Sequence, residues 1–305
     1  MRGYMRKSYS LVLFLIYQIF ALSSQAYAYT PNQYLPTGLD KNTPDEIKSL
    51  GKDLFSGIED KQIAAMQGLK NKSNDPDLAP HAYFLLSRFY ETEKNFDMAR
   101  AYLSKCLEAD PEFSPCHLWL GLYALHGAGG EEDHKLAFKS FRASAEQDSA
   151  AGEWHLAMAY LKGQGVMKDK DQAFEYVKRS ASKDYIAGLY SYGVMKAKGE
   201  GTRKNEKEAF QAYARAAHLG DYRALYSVGI YYNKGRGVEK NLDLADTAIL
   251  AASFEGHPEA LQLVRKALDE MDDEASQRWF SENRERKTFL MSELKRLGGP
   301  IPADD

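Results

Sequence analysis

The stretch Lys162-Gly163-Gln164-Gly165 returns as Lys198-Gly199-Glu200-Gly201 and again as Lys234-Gly235-Arg236-Gly237, at intervals of 36 residues. A glycine pair beside a lysine has two readings: it cradles a phosphate, or it ends a helix and turns the chain. The surrounding sequence keeps the same period. Gly121, Ala157, Gly193 and Gly229 share one register, and Ala137, Ala173, Ala209 and Ala245 another. Ala145, Ala181, Ala217 and Ser253 form a third, and Leu118, Trp154, Tyr190 and Tyr226 a fourth. His126-Gly127-Ala128-Gly129 stands one period ahead of the first lysine motif, so the glycine pair occurs four times.

A period of 20 to 50 residues is the mark of a solenoid or a propeller. In Ala224 to Tyr232 the apolar or small residues fall at 224, 225, 228, 229 and 232, one face of a helix. After the turn, Leu242, Ala245, Ile249 and Ala252 repeat the pattern on a second helix. Each unit therefore reads as helix A, glycine turn, helix B. The first glycine of each pair (Gly127, Gly163, Gly199, Gly235) follows the last periodic residue of helix A. That is the place of a left-handed C-terminal cap. The second glycines, Gly165, Gly201 and Gly237, belong to the same turn. A dinucleotide fingerprint needs a preceding strand and a third glycine, and Lys168 stands where that glycine would be. The glycines are read as structural.

The run Ala224-x-Tyr226-x-Val228-Gly229-x-x-Tyr232-x-x-Gly235-x-Gly237-Val238, closing on Ala245, resembles the Sel-one-like repeat, a relative of the tetratricopeptide repeat. Units at 116–151, 152–187, 188–223 and 224–259 share the pattern. The unit at 80–115 is similar to a plain tetratricopeptide repeat, with Tyr83, Leu86, Ser87, Tyr90, Ala99, Leu103, Cys106 and Pro111 on its signature positions. The resemblance implies an all-α, right-handed α-solenoid of helix-turn-helix repeats. It also implies a protein-binding scaffold, often exported in bacteria, with few fixed activities.

The N-terminus reads as a signal peptide over 1–28: Arg2, Arg6 and Lys7, an apolar run from Leu11 to Leu22, then Ala26-Tyr27-Ala28. An uncleaved anchor is the alternative. Removing it takes away three basic residues and no acid, so the formal charge moves from −3 to −6. A mildly acidic chain argues against nucleic acid as a partner. No other stretch is apolar enough to span a membrane. An exported chain, periplasmic or secreted, is expected, acting on a protein partner in the cell envelope. The second reading is a secreted host- or cell-wall-directed factor, including a β-lactam or peptidoglycan hydrolase.

Residues 29–42, with Pro31, Pro36 and Gly38, read as extended or disordered. Residues 43–79 read as a helical cap, with Thr43 as N-cap before Pro44, Leu50, Leu54 and Ile58 on one face, and Ile63, Met66 and Leu69 on a second helix. Residues 260–298 read as a C-terminal cap that lays Trp279 and Phe280 on the last repeat, ahead of a short tail, 299–305.

Catalytic chemistry finds little support. Ser49-Leu-Gly-Lys52 and Ser180-Ala-Ser-Lys183 spell the serine–lysine pair of β-lactam enzymes without its companion motifs. The seven histidines fit no metal pattern, and no metal or cofactor is expected. Cys106, near the end of a helix B, and Cys116, near the start of the next helix A, are read as a disulfide worth about 2–3 kcal/mol, with two free thiols as the alternative. Two surfaces qualify for a partner. One is a groove of Trp154, Tyr190 and Tyr226 with Met158 and Ile230 beside them, unless these are inter-repeat packing. The other is a basic edge of Lys162, Lys168, Lys198, Arg203, Lys204, Lys234, Arg236 and Lys240. It would attract an acidic protein, an anionic polysaccharide or lipid head groups, unless these are solvated turn residues.

Overall fold

A computed structural model describes residues 43–301. The expected signal peptide (1–28), the 29–42 segment and residues 302–305 of the tail lie outside the described residues. Among these residues there are fourteen helices and no strand. Helices α1 (Asp45–Leu54) and α2 (Glu59–Lys72) come first. Hairpins follow in order: α3 (Ala79–Thr92) with α4 (Phe96–Ala109), α5 (Ser114–His126) with α6 (His134–Glu146), and α7 (Ala150–Lys162) with α8 (Lys170–Ser182). Then come α9 (Ile186–Lys198) and α10 (Glu206–His218) in sequence, and the hairpin of α11 (Tyr222–Lys234) with α12 (Leu242–Phe254). Helices α13 (Pro258–Asp269) and α14 (Asp273–Leu297) close the chain. The described residues form two compact units, 43–195 with 199–203, and 196–198 with 204–301.

The turn between helix A and helix B is fixed at both ends. Gly127, Gly163, Gly199 and Gly235 cap α5, α7, α9 and α11 at φ 64°, 72°, 74° and 64°. This is the left-handed conformation the sequence calls for, which a residue with a Cβ adopts only at a cost. At the other end one short polar side chain closes the turn. Asp133, Asp169, Asn205 and Asn241 donate their backbone amides to the carbonyls of Ala124, Tyr160, Lys196 and Tyr232. Their side chains then accept from the first free amides of helix B. Each such cap contributes about 1 kcal/mol.

The second glycine has a different task. It too lies at positive φ, and it sits against the backbone of the preceding helix B. A Cβ on Gly165 would stand 2.0 Å from the carbonyl oxygen of His134, and one on Gly201 2.0 Å from that of Lys170. In the second unit, a Cβ on Gly237 would stand 2.2 Å from the carbonyl oxygen of Glu206. No side chain fits these gaps. Within a hairpin the small-residue register acts likewise: a Cβ on Gly121 would meet the Phe141 ring at 2.6 Å, and one on Gly229 the Ile249 side chain at 2.7 Å.

Three details of the ends depart from the sequence reading. Pro44, not Thr43, occupies the N-cap position of α1, and no side chain caps that helix. Ile58 and Ile63 are exposed; Ile47, Leu54, Ala65 and Leu69 form the core there. Ile58 is held outside by its place in the turn, and Ile63 falls on the outer face of α2. Leu242, taken as core, is 55% exposed because it opens α12 beyond the reach of α11.

The C-terminal helix lays Trp279 on the last repeat, where its indole N–H donates to the Asp246 carboxylate, but its most buried residues are others. Its anchors are Asn283, Leu290 and Leu294, while the two aromatic rings stay partly exposed. The Thr247 hydroxyl donates to Asn283 Oδ1 at 2.7 Å, and Asn283 Nδ2 donates to the Trp279 carbonyl at 2.8 Å. Thus α14 packs on the outer faces of α10 and α12 instead of pairing with α13. The sequence explains the choice. The register that holds Arg142 and Lys178 in two earlier hairpins holds Ala214 and Leu250 here, both buried.

The two glycines of a turn should respond differently to alanine. Gly235→Ala pays for the left-handed backbone, about 1–2 kcal/mol. Gly165→Ala pays the same and must also push two helices apart, so it should cost about 3 kcal/mol or more. Urea titration followed by circular dichroism reads the difference; equal costs would remove the packing role given to the second glycine.

Candidate binding site

The aromatic row on the A helices is half-buried and partly engaged. Trp154 Nε1 donates to Ser191 Oγ of the next hairpin at 2.9 Å, and its ring lies 6.2 Å from that of Tyr185. Met158 and Tyr190 are likewise half-buried in the first unit. In the second unit, Tyr226 stacks on His257 with centroids 4.2 Å apart, and Ile230 is half-buried. The row therefore joins repeats and still presents surface.

At one joint the packing leaves a cleft. It opens between α5, α6 and α7, with a volume of about 180 Å³. Phe138 and Phe141 form one wall, Trp154, His155 and Met158 another, and His126, Lys162 and Gln164 the rim. His155 is clamped: its ring stacks on Phe141 at 4.9 Å and meets the Trp154 ring edge-on at 4.7 Å. Burial, with the nearby His126 and Lys162, lowers its pKa to about 4, so the imidazole is neutral at pH 7. The sequence reading took Trp154, Met158 and Lys162 for separate surfaces; the fold brings them together. It missed His155 and Phe141. The available signal was a break in register: one period later these positions hold Ser191 and Val177.

The basic residues of the turns are all exposed: Lys162, Lys168, Lys198, Arg203, Lys204, Lys234, Arg236 and Lys240. Several serve the turn itself. The Lys168 side chain packs over Gly163, and Lys204 pairs with Glu206 at 2.9 Å. Glu200 and Glu239 interrupt the positive charge. Lys162 is the member that borders a cleft.

Cys106 and Cys116 are fully buried and bonded to each other, with Cα atoms 6.5 Å apart. The bond ties α4 to α5. One period later Gly152 occupies the register of Cys116 and lies against Ser144 at the end of α6. A covalent link thus stands where the next joint has a close small-residue contact.

The serine–lysine pairs have no reactive geometry. The buried Ser180 hydroxyl donates to the Ala150 carbonyl at 2.7 Å. Lys183 Nζ donates to Glu153 Oε1 at 2.9 Å and to Asp148 Oδ1 at 2.5 Å. Glu153 is itself fully buried and also accepts from Arg179 at 2.7 Å. Ser49 and Lys52 are exposed on α1. Among the described residues no group of three or more His, Cys, Asp or Glu side chains could hold a metal ion. No helix of the described residues is long and apolar enough to cross a membrane.

The state of His155 predicts a pH dependence. A histidine whose folded pKa lies below its unfolded value contributes stability that is present above pH 6.5 and lost as pH falls towards 4. The loss should amount to about 3 kcal/mol. His155→Gln should flatten this part of the stability profile in urea melts from pH 7 to 4; an unchanged slope would place the lost protons elsewhere.

Comparison with known families matches residues 80–113 to the tetratricopeptide repeat. Residues 114–149, 150–185, 186–221 and 223–245 match the Sel1 repeat. No curated protein matches the sequence. Among solved structures, a Sel1 repeat protein from Oxalobacter formigenes superposes with a TM-score of 0.57 at 26% identity, over 66% of this chain and 84% of its own. A second, c5321, is a protective antigen of uropathogenic Escherichia coli strains displaying an SLR fold. It gives a TM-score of 0.55 at 19% identity over 82% of this chain, which spans 59% of that protein. One tetratricopeptide repeat followed by four Sel1 repeats that agree in period and turn places residues 80–245 of this chain in the Sel1 repeat family of tetratricopeptide-related proteins.

Proposed function

We propose that this chain is an exported scaffold that holds a protein partner in the cell envelope. The observation that carries the reading is the repeated hairpin itself. Successive A helices present half-buried aromatic and aliphatic side chains already fixed by packing, so binding costs little ordering entropy. Aromatic and methionine side chains suit such a surface. Repeats of this family support a protein-interaction scaffold. Export rests on the basic, apolar and Ala-x-Ala pattern of residues 1–28. It also fits a buried Cys106–Cys116 bond, which persists in oxidising compartments.

Two measurements test this. Fractionation and mass spectrometry of the chain produced in a bacterial host should find it outside the cytoplasm, beginning at Tyr29. A cytoplasmic chain retaining residues 1–28 would remove the export part. Photo-reactive residues at Met158, and at Val194 and Ile230, which hold the same register one and two periods on, should then cross-link a defined protein in cells, while the same residues at Lys139 and Glu175, on the outer faces of B helices, should not. Adducts that do not distinguish the two faces, or no protein adduct at all, would count against the scaffold.

A further inference from the structure

The cleft between α5, α6 and α7 has the properties of a socket for one side chain. Its volume of about 180 Å³ falls below the roughly 300 Å³ at which sites for whole small molecules begin. The walls, Phe138, Phe141, Trp154 and Met158, are apolar, and methionine adapts its shape to an occupant. The rim carries His126 and Lys162, and among the described residues no carboxylate lines the cleft. His155, between wall and rim, is held by two aromatic rings and so is preset in position.

A rim whose formal charge is that of Lys162, around an apolar hole on a chain with net negative charge, selects its occupant by charge as well as by shape. We infer that this cleft receives one large apolar side chain from an acidic segment of the partner protein. The flanking carboxylates of the segment face Lys162 and His126. This rests on the scaffold reading and makes it specific: the partner is anchored at the joint between α5–α6 and α7–α8 by an acidic peptide with a single aromatic or aliphatic residue at its centre. At the following joint Val177 and Ser191 replace Phe141 and His155, so the ring clamp that presets this cleft is not repeated there.

The test uses the disulfide-bonded chain and fluorescein-labelled octapeptides with Phe, Tyr, Leu or Met between flanks of Asp and Glu. Fluorescence anisotropy should show at least one of them binding tenfold or more tighter than the same peptide with Ala at its centre. It should also bind tenfold tighter than a version flanked by Lys. Lys162→Glu, at an exposed position, should weaken the best peptide by about tenfold. Met158→Trp should fill the socket and abolish binding with an unchanged melting temperature; if it lowers the melting temperature, Lys162→Glu alone decides. The inference is overturned if no anchor exceeds its Ala control, if Lys flanks serve equally well, or if Lys162→Glu has no effect. It is also overturned if phenylacetate alone binds as tightly as the best peptide, which would mark a small-molecule pocket. A protein cross-linked at Met158, Val194 or Ile230 whose capture is indifferent to Lys162→Glu would sink the socket and leave the scaffold standing.

Discussion

A glycine pressed against a carbonyl oxygen governs the stacking of this protein. Gly165 lies over His134 and Gly201 over Lys170; Gly237 lies over Glu206 in the second unit. In each case the turn of one hairpin is seated on the first residue of the previous helix B. The approach leaves no room for a Cβ, so the spacing between hairpins is set by backbone and not by side chains. Everything that varies among the repeats varies around this fixed spacing. The polar caps at Asp133, Asp169, Asn205 and Asn241 start helix B just after the turn, which brings the next seat to the same place.

With spacing fixed, each joint takes its own character from a few positions. Cys116 and Gly152 share a register; one is covalently tied, the other merely close. Glu153 is a buried carboxylate held by Arg179 and Lys183, where Leu189 and Leu225 stand in later repeats. The ionic joint offers geometry more than stability, since desolvation offsets much of a buried pair's attraction. His155, two residues along α7, stacks on Phe141 beside a cleft on the side of the previous hairpin. Helix α7 thus carries a buried ionic contact within its own hairpin and, two residues on, the wall of a cleft against the previous one. On α10 and α12, Ala214 and Leu250 convert an outer face from solvent to the seat of α14.

Much of this was legible before any coordinates. The 36-residue register gave the helix pairs, their turns and the left-handed caps at Gly127, Gly163, Gly199 and Gly235, because periodicity and glycine chemistry are local. The assembly of the cleft was not legible, since Leu125, Phe141 and Trp154 meet only once three helices are packed. The groove reading caught Trp154 and Met158 by their residue type, and the basic edge caught Lys162, but nothing in the sequence joined the two. The terminal helices misled for a related reason. Ile58, Ile63 and Leu242 have the right periodicity but lie beyond their partners' reach. Trp279 does reach Asp246 of the last repeat, but a Thr247–Asn283 hydrogen bond and two buried leucines, which size alone did not mark, also hold α14.

If backbone seating sets the stack, hairpins are interchangeable in steps of one period. Removing residues 152–187 would bring Gly201 over His134, the position Gly165 now occupies, and leave the seat of α14 on α10 and α12 intact. Removing 153–187, one residue fewer, would break every register that follows. Urea unfolding monitored by circular dichroism compares the two directly. The account predicts a cooperative, helical protein from the first deletion and loss of cooperative unfolding from the second. Equal stability of the two, or failure of the first to fold, would contradict it.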